Sequence, residues 1–212
     1  MKITHIINSL GNGGAEKNLM RLILNDKQNS HEIIVLKKKN FYKNILKRDN
    51  IKFYEFDLSL NRNFLRSLKK INYIIRINKS KILMCWMYHS CLLGSLLKFF
   101  NNKFKLIWNI RHSSFVFGKS KLTTIFLARL LLPIFQLLPK AIIFNSSYSL
   151  KVHNFFFLLN NNKVVIRNGF NLPNKININK KKNISNIVKI GFVGRFSPQK
   201  NHKFFFKFLH QL

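Results

Sequence analysis

Three glycines lie close together near the amino terminus, in the segment HIINSLGNGGAEKN. Gly11, Gly13 and Gly14 follow a short apolar run and precede a helical pattern, so we expect them to form a turn between a strand and a helix. Because glycine has no Cβ, backbone N–H groups at such a helix start can approach an anion or a sugar closely. Position 16 is glutamate, so the turn lacks the third glycine of the dinucleotide fingerprint. The spacing indicates either a ligand-contacting loop or a purely structural turn.

A second polar cluster, Arg111, His112 and Ser113, directly follows the apolar segment LIWNI. If that segment is a strand of an open α/β sheet, the cluster lies at the edge where such sheets bind ligands. An arginine there can contact a phosphate, and a histidine can exchange a proton or polarise a hydroxyl group. We therefore expect His112 to be catalytic and Arg111 to line the cleft, with a histidine that only caps the next segment as the alternative.

A third segment, VKIGFVGRFSPQKNHKFF, places Arg195 and Lys200 on a turn between an apolar run and a helical pattern. Arginine makes forked contacts with phosphate, lysine adds a point charge, and the start of a helix favours negative charge. The segment predicts a diphosphate site, with an ordinary basic turn in a basic protein as the alternative.

The charge is unusually positive, with 38 Lys and Arg against 6 Asp and Glu, a formal net charge of +32. Such a balance is typical of proteins that bind nucleic acid, anionic membranes or phosphorylated partners. Lys, Asn, Ile and Phe are over-used together, so an AT-rich genome explains the charge equally well. The sequence has neither a zinc-finger pattern nor the aromatic signature of an RNA-recognition sheet, so we expect no specific nucleic acid partner.

Residues 58–212 contain no carboxylate, because the six acidic residues all precede them. This excludes paired carboxylates acting as acid and base, and an oxygen-rich magnesium site, from most of the chain. We expect no metal. The acidic residues are Glu16, Asp26, Glu32, Asp49, Glu55 and Asp57.

The two cysteines, Cys85 and Cys91, fit neither a zinc pattern nor a disulfide framework, so we expect buried thiols in a reducing compartment. The amino terminus has no signal-peptide pattern, which favours a cytoplasmic location. Arg129 and Pro133 interrupt the apolar stretch 122–138, so we do not predict a spanning helix. Lysines flank this stretch, which is typical of a helix that lies at an anionic membrane surface. They are Lys119, Lys121 and Lys140.

Short β-branched runs alternate with helical patterns along the first 171 residues, which predicts an α/β fold with a parallel sheet. The predicted strands are Ile3–Asn8, Glu32–Leu36, Ile51–Phe56, Lys81–Met87, Lys105–Ile110, Ala141–Asn145 and Lys163–Arg167. The predicted helices are Ala15–Asn25, Tyr42–Lys47, Phe64–Asn78, Cys91–Phe100, Ser120–Leu138 and Ser147–Leu159.

Residues 172–186 are rich in Asn and Lys and lose large apolar side chains, which predicts a linker between domain 1–171 and a second domain, 187–212. In the second domain we predict a strand at Val188–Val193, a turn from Gly194 to Lys200 and a helix at Asn201–His210. One strand and one helix cannot complete an open sheet, so we expect this second domain to be incomplete.

The three polar segments, in this order, resemble the family 4 glycosyltransferases of the GT-B fold, which carry a GGAE-type loop after the first strand. The segment VVIRNGFN is similar to the V-I-P-N-G element that closes the family's first domain, and VGRFSPQKN is similar to its second-domain phosphate loop. The resemblance covers nearly the whole chain. It implies one near-complete Rossmann-like domain on the acceptor side and the start of a nucleotide-sugar-binding domain.

The resemblance also implies site residues and substrates. Gly13 and Gly14 would line the cleft, with Asn168 and Gly169 from the V-I-P-N-G element. Arg195 and Lys200 would hold the diphosphate of the donor, and His112 would lie near the reacting sugar. The implied reaction transfers a sugar, with retention and without a metal or other cofactor, from a nucleotide-diphosphate sugar to a glycan or lipid-linked acceptor of the cell surface.

Two departures from the family pattern bear on activity. Arg167 stands where the family has proline and Asn171 where aspartate is common. The sequence also has no pair of glutamates seven residues apart, which the family uses to contact the donor sugar and ribose. We therefore expect weak or absent transferase activity from this chain alone. A separate chain that supplies the rest of the second sheet is one alternative. A basic domain that binds anionic membrane without catalysis is another.

Overall fold

The computed structural model describes residues 1–58, 64–112, 122–157, 159–170, 190–194, 196 and 200–211. The described residues fall into two compact units, one within residues 1–169 and the other within residues 170–212. The predicted boundaries at 171 and 186 lie outside the described residues, so the domain division stays a prediction.

The first unit is built on a seven-stranded sheet in which every neighbouring pair is parallel, in the order β3-β2-β1-β4-β5-β6-β7. The predicted α/β fold with a Rossmann-like parallel sheet is confirmed. Each predicted strand is present, with ends shifted by at most two residues. The strands are β1 (Lys2–Ile7), β2 (Ser30–Val35), β3 (Lys52–Glu55), β4 (Ile82–Trp86), β5 (Lys105–Ile110), β6 (Ala141–Phe144) and β7 (Lys163–Val165).

Helices connect the strands, as parallel pairing requires. They are α1 (Gly14–Asn25), α2 (Lys43–Arg48), α3 (Phe64–Ile77), α4 (Met87–Phe100), α5 (Leu122–Phe126), a π-helical turn (Leu127–Leu131), α6 (Leu132–Ile134) and α7 (Ser147–Asn154). None of the helices in the described ranges is long and apolar enough to cross a membrane.

Three predicted helix boundaries were wrong. Helix α4 begins at Met87 rather than Cys91, because Met87 takes a left-handed conformation (φ 69°) and turns the chain within one residue. In its described part, the stretch predicted as one helix over Ser120–Leu138 ends at Ile134. A π-helical turn interrupts it shortly before Pro133, whose backbone nitrogen has no hydrogen to donate. Helix α7 ends at Asn154 rather than Leu159.

Two apolar layers cover the two faces of the sheet, because alternate strand residues point to opposite sides. Ile6 packs in one layer with α4 and the π-helical turn, and its neighbour Ile7 packs in the other with α1. Cys85 and Cys91 are buried in the first layer as free thiols, which confirms the prediction of buried thiols, while the reducing compartment stays a prediction. Burial raises the pKa of both thiols, so they stay protonated and unreactive.

The second unit contains one helix among its described residues, α8 (His202–Leu209), where the sequence predicted Asn201–His210. The strand predicted at Val188–Val193 was wrong over its described part, since residues 190–194 form no strand. A strand needs a neighbour for its N–H and C=O groups, and the described part of this unit offers none. Phe192 instead stacks on Phe205 of α8, with 4.7 Å between the ring centroids.

Candidate functional site

The strand order reverses between β1 and β4. From β1 the chain builds outward through β2 to β3, and from β4 it builds the other way through β5 to β7. In open α/β sheets the crevice at the carboxyl ends of the strands flanking such a reversal is the usual ligand site. The glycine turn follows β1, the Met87 turn follows β4, and Arg111 and His112 follow β5. The sheet therefore brings the two polar segments of this unit to one edge.

The glycine turn is anchored on its strand side and open on its helix side. The Leu10 N–H donates to the Lys39 carbonyl at 2.8 Å, and the Phe41 N–H donates to the Leu10 carbonyl at 2.8 Å. A Cβ built on Gly13 would overlap the Glu16 carboxylate, whereas one built on Gly14 would meet nothing within 4 Å. The Glu16 carboxylate ends a flexible side chain that can move aside, so packing does not by itself require glycine at 13 or 14, and the bare start of α1 at Gly14 leaves room for a ligand.

Arg111 is held in place by neutral groups. Its guanidinium lies over the Trp86 ring, 5.1 Å from the ring centroid, and its Nε donates to Asn109 Oδ1 at 2.8 Å. Its Nη1 donates to Asn168 Oδ1. Burial lowers the pKa of Arg111, but an arginine remains charged near neutral pH. Because Arg111 contacts no carboxylate among the described residues, its positive charge is oriented without being neutralised.

The segment after β7 returns to this edge. Asn168 reaches Arg111 across 57 positions of sequence, and the Gly169 carbonyl accepts from Arg21 Nη1 of α1 at 3.0 Å. A Cβ built on Gly169 would meet nothing within 4 Å. The structure therefore brings Arg111, Asn168 and Gly169 to the same edge and adds Arg21, which the sequence analysis missed.

His112 is positioned through its backbone and through the aromatic groups behind it. Its carbonyl accepts from Ser149 Oγ at 2.7 Å, and its ring lies 6.0 Å from that of Tyr88. His153 Nδ1 lies 2.7 Å from the Ser149 carbonyl, so Nδ1 carries the proton and donates. His153 Nε2 then accepts from the Tyr88 hydroxyl at 2.7 Å. Burial lowers the pKa of His153 to about 4, so the ring is neutral near pH 7.

The sequence analysis did not single out these supporting residues. Asn109 was detectable, because it is the polar residue within the apolar strand segment LIWNI. Ser146 was also detectable, since a serine before a helical pattern predicts a helix cap, and its side chain accepts from the Ser149 N–H. Tyr88 and His153 gave no signal, because their partnership spans 65 positions of sequence.

The remaining predicted site residues lie elsewhere. Ser113 and Arg195 are outside the described residues. Lys200 belongs to the second unit, where it is exposed and its Cγ would lie 3.4 Å from a Cβ built on Gly194. The diphosphate site at Arg195 and Lys200 therefore stays a prediction. In the part of the chain that the structure describes, no group of three His, Cys, Asp or Glu residues is arranged to hold a metal ion.

No family model matches the sequence, and no curated protein sequence matches it. Solved structures do match its fold. HepE of Anabaena in complex with UDP aligns with a TM-score of 0.64 and 19% identity, over 80% of this chain and 44% of that one. The lipopolysaccharide outer core galactosyltransferase WaaB aligns with a TM-score of 0.60 and 16% identity, over 82% and 47% of the two chains.

UDP-GlcNAc 2-epimerase from Methanocaldococcus jannaschii aligns with a TM-score of 0.56 and 14% identity, over 79% of this chain and 46% of that one. The chain thus spans less than half the length of each of these three structures. At such identities the likeness concerns architecture. Together with the strand order and the carboxyl-edge crevice, it shows that the chain has a Rossmann-like domain of the GT-B fold.

Proposed function

We propose that this chain is the acceptor-side part of a glycosyltransferase that moves a sugar from a nucleotide-diphosphate donor to a glycan or lipid-linked acceptor of the cell surface. The observation that carries the proposal is Arg111, a charged guanidinium fixed over Trp86 at the carboxyl edge and paired with no carboxylate in the described ranges. An oriented, unneutralised cation in a ligand crevice is suited to an anionic substrate.

Each predicted residue has a role in this proposal. The backbone N–H groups at the start of α1, at Gly13 and Gly14, contact the substrate, and Arg111 contacts an anionic group of the substrate. His112 hydrogen-bonds the reacting sugar or its acceptor hydroxyl. Transfer breaks the bond between the sugar carbon and the diphosphate oxygen, forms a bond from the acceptor oxygen to that carbon, and releases the acceptor proton. Arg195 and Lys200 balance the charge that collects on the departing diphosphate.

The fold alone does not select a transferase, because a 2-epimerase shares it. The motifs favour transfer: the glycine turn, the Asn168–Gly169 element and the basic turn at 195–200 follow one another as in the family 4 glycosyltransferases. WaaB is a galactosyltransferase and HepE binds UDP, and both facts support a nucleotide-sugar substrate for this chain.

Calorimetric titration with UDP-glucose, and separately with GDP-mannose, tests the donor part of the proposal. We expect one of them to bind, and an Arg195→Gln, Lys200→Gln double variant to bind it at least about tenfold more weakly, since two charge-assisted contacts are lost. A Lys203→Gln, Lys207→Gln variant removes the same charge from exposed positions of α8 and should bind as the parent does. Equal affinity in both variants would refute the diphosphate assignment.

Turnover tests the catalytic part. The 212 residues contain no glutamate pair seven apart, so we expect little transfer from this chain alone. Where transfer is measurable, His112→Gln should lower the rate by about a hundredfold, the usual scale of an acid–base or hydrogen-bonding role. A His210→Gln variant, changed at an exposed histidine of the second unit, should leave the rate unaltered.

A cytoplasmic location at the inner face of the membrane completes the proposal, because a lipid-linked acceptor would be met there. The competing function is a basic domain that binds polyanions without catalysis, favoured only by the net charge of +32. Such binding would fall steeply with salt and would not require Arg111. Filter binding to DNA at physiological salt separates the two, since nanomolar sequence-selective affinity would favour the competing function.

A further inference from the structure

A row of exposed apolar side chains runs along the connection between β5 and β6. Its five members are between 53% and 72% exposed and recur every three or four residues. We call this row the apolar stripe; it consists of Leu122, Phe126, Leu130, Ile134 and Leu137. Exposed apolar side chains arranged in a row on one face mark an interaction surface rather than the ordinary scatter of a protein surface.

The backbone keeps the apolar stripe straight. Four residues exceed a 3.6-residue turn, so a four-residue repeat drifts by about 40° per step around an α-helix. The π-helical turn Leu127–Leu131 lies in the middle of the row, and its wider turn offsets that drift. The opposite side of the same segment is fixed to the core through Ala128 and Leu132, which are fully buried. The part of the stripe from Leu122 to Ile134 is therefore an outer face whose other side is anchored in the core.

A lysine-lined pocket adjoins the end of the stripe. Its volume is about 400 Å³, and Leu137 and Leu159 line it together with Lys98, Lys105 and Lys140. The ammonium group of Lys98 donates to the Phe104 carbonyl at 2.6 Å. Lys105 and Lys140 are exposed and form no ion pair within the described ranges. The pocket thus offers two ammonium groups beside apolar side chains.

The charge around the stripe selects the kind of partner. Every residue from 58 to 212 lacks a carboxylate, so no acidic side chain of this segment opposes an anionic surface. Arg129 lies within the stripe segment, is exposed, and stacks over Phe156 at 5.6 Å. Apolar side chains flanked by cations bind the interface of anionic bilayers, where the chains enter the acyl boundary and the cations meet phosphates.

We propose that the apolar stripe and the pocket formed by Lys105 and Lys140 are the surface by which this protein lies on an anionic phospholipid bilayer. The inference rests on the proposed function in one respect, the lipid-linked acceptor. Because the stripe segment connects the carboxyl end of β5 to the amino end of β6, it runs antiparallel to the strands. A protein lying on this face holds its sheet strands along the membrane plane, so the carboxyl edge with His112 opens sideways rather than away from the bilayer.

Cosedimentation of the 212-residue chain with vesicles tests the surface, without nucleotide sugar present. We expect binding to vesicles of phosphatidylcholine with phosphatidylglycerol and little binding to phosphatidylcholine alone. Leu130→Ser with Ile134→Ser should weaken binding about tenfold or more through lost apolar burial. Lys105→Gln with Lys140→Gln should weaken it by about fivefold for each lysine, and less at high salt.

Matched variants control for composition. Leu65 and Ile77 on α3 are 70% and 58% exposed, close to the 59% and 71% of Leu130 and Ile134, so Leu65→Ser with Ile77→Ser makes the same chemical change elsewhere. Lys69→Gln with Lys70→Gln removes the same charge from exposed positions of α3. Both control variants should bind vesicles as the parent does, and all variants should keep the parent's circular dichroism.

Three outcomes would overturn the proposal: no binding to anionic vesicles, equal loss in the stripe and control variants, or self-association without lipid that the stripe variant abolishes. The last result would assign the stripe to a second copy. Donor titration of the stripe variant separates this inference from the proposed function. If the stripe variant binds the donor as the parent does but no longer binds vesicles, both proposals are supported. If the parent binds vesicles but no donor, the proposed function fails and the membrane surface stands.

Discussion

The Tyr88 hydroxyl begins a buried polar chain behind the carboxyl edge of the sheet. It donates to His153, which donates to the Ser149 carbonyl, while Ser149 Oγ donates to the His112 carbonyl. Burial raises the pKa of Tyr88 and lowers that of His153, so both groups are neutral near pH 7. These neutral groups link Tyr88 to the backbone of His112.

Replacing Tyr88 with phenylalanine should lower the free energy of unfolding by about 1–3 kcal/mol, because His153 Nε2 would lose its donor in a buried site. Urea denaturation measures the change. Tyr148→Phe is the control, since Tyr148 is exposed on α7 and its loss should cost less than about 0.5 kcal/mol. Equal effects of the two substitutions would show that the buried hydrogen bond contributes nothing of its own.

Helix α4 approaches the sheet more closely than a side chain at position 94 would allow. A Cβ built on Gly94 would overlap Cys85 Sγ of β4 and lie 3.0 Å from Leu106 Cδ1 of β5. The absence of a side chain therefore lets this helix pack on the strands at the centre of the sheet, next to the Met87 turn. The start of α1 differs, since Gly14 faces open space.

Gly94→Ala and Gly14→Ala are therefore a matched pair with opposite expectations. Gly94→Ala should destabilise the protein by about 1–3 kcal/mol through overpacking. Gly14→Ala should leave stability unchanged or raise it by up to about 1 kcal/mol, because alanine favours the helix. Thermal unfolding measures both. If the glycine turn contacts substrate as proposed, Gly14→Ala should also weaken substrate binding without destabilising the fold.

Strands β1 and β2 hold a second buried histidine system. The Trp86 indole N–H can only donate, so it donates to His5 Nδ1 at 3.2 Å. His5 Nε2 then donates to His31 Nδ1 at 3.0 Å, and His31 Nε2 donates to Asp26 Oδ2 at 3.1 Å. Burial, and secondarily the nearby His31, lower the pKa of His5 to about 3.

Stability should consequently fall as the pH falls from about 6.5 towards 4. His5 and His153 have folded-state pKa values of about 3 and about 4, below the ordinary 6.5, so between these values the unfolded chain binds more protons. Each histidine contributes a loss of up to about 1.4 kcal/mol per pH unit in that window. Urea midpoints across the range check this, and His210→Gln should keep the slope. A urea midpoint that does not change between pH 6.5 and pH 4 would contradict the conclusion that His5 and His153 are buried and neutral.

The whole molecule carries far more positive than negative charge. The described residues form two close pairs of opposite charges, Lys43–Glu55 and Arg48–Asp49, against a formal net charge of +32; the Asp26 carboxylate accepts a hydrogen bond from the neutral His31 ring. Exposed pairs such as Arg48–Asp49 contribute little to stability, whereas unbalanced like charges repel one another in the compact state. Electrostatics at this scale should therefore oppose folding.

Added sodium chloride should accordingly stabilise the protein. Raising the salt from about 0.02 M to 0.2 M shortens the screening length from roughly 20 Å to roughly 7 Å and weakens the repulsion. We expect the urea midpoint to rise over this range; urea is required because guanidinium is itself a salt. A falling midpoint would mean that the ion pairs outweigh the repulsion.

The sequence by itself determined the alternation of strands and helices, the absence of carboxylates after Asp57, and the grouping of Arg111 with His112. These features are local: apolar periodicity and residue type depend on neighbouring positions, and all seven strands of the sheet were predicted from them. The strand predicted at Val188–Val193 failed over its described residues because a strand also requires a partner, which no local pattern supplies.

Only the tertiary structure decided which distant groups meet. It set the strand order that places β1 beside β4, the contact of Arg111 with Asn168, and the proton positions of His5 and His153. It also separated the exposed apolar stripe from the buried side of the same segment. These properties depend on hydrogen bonds and packing between residues far apart in the chain, which periodicity within a segment does not encode.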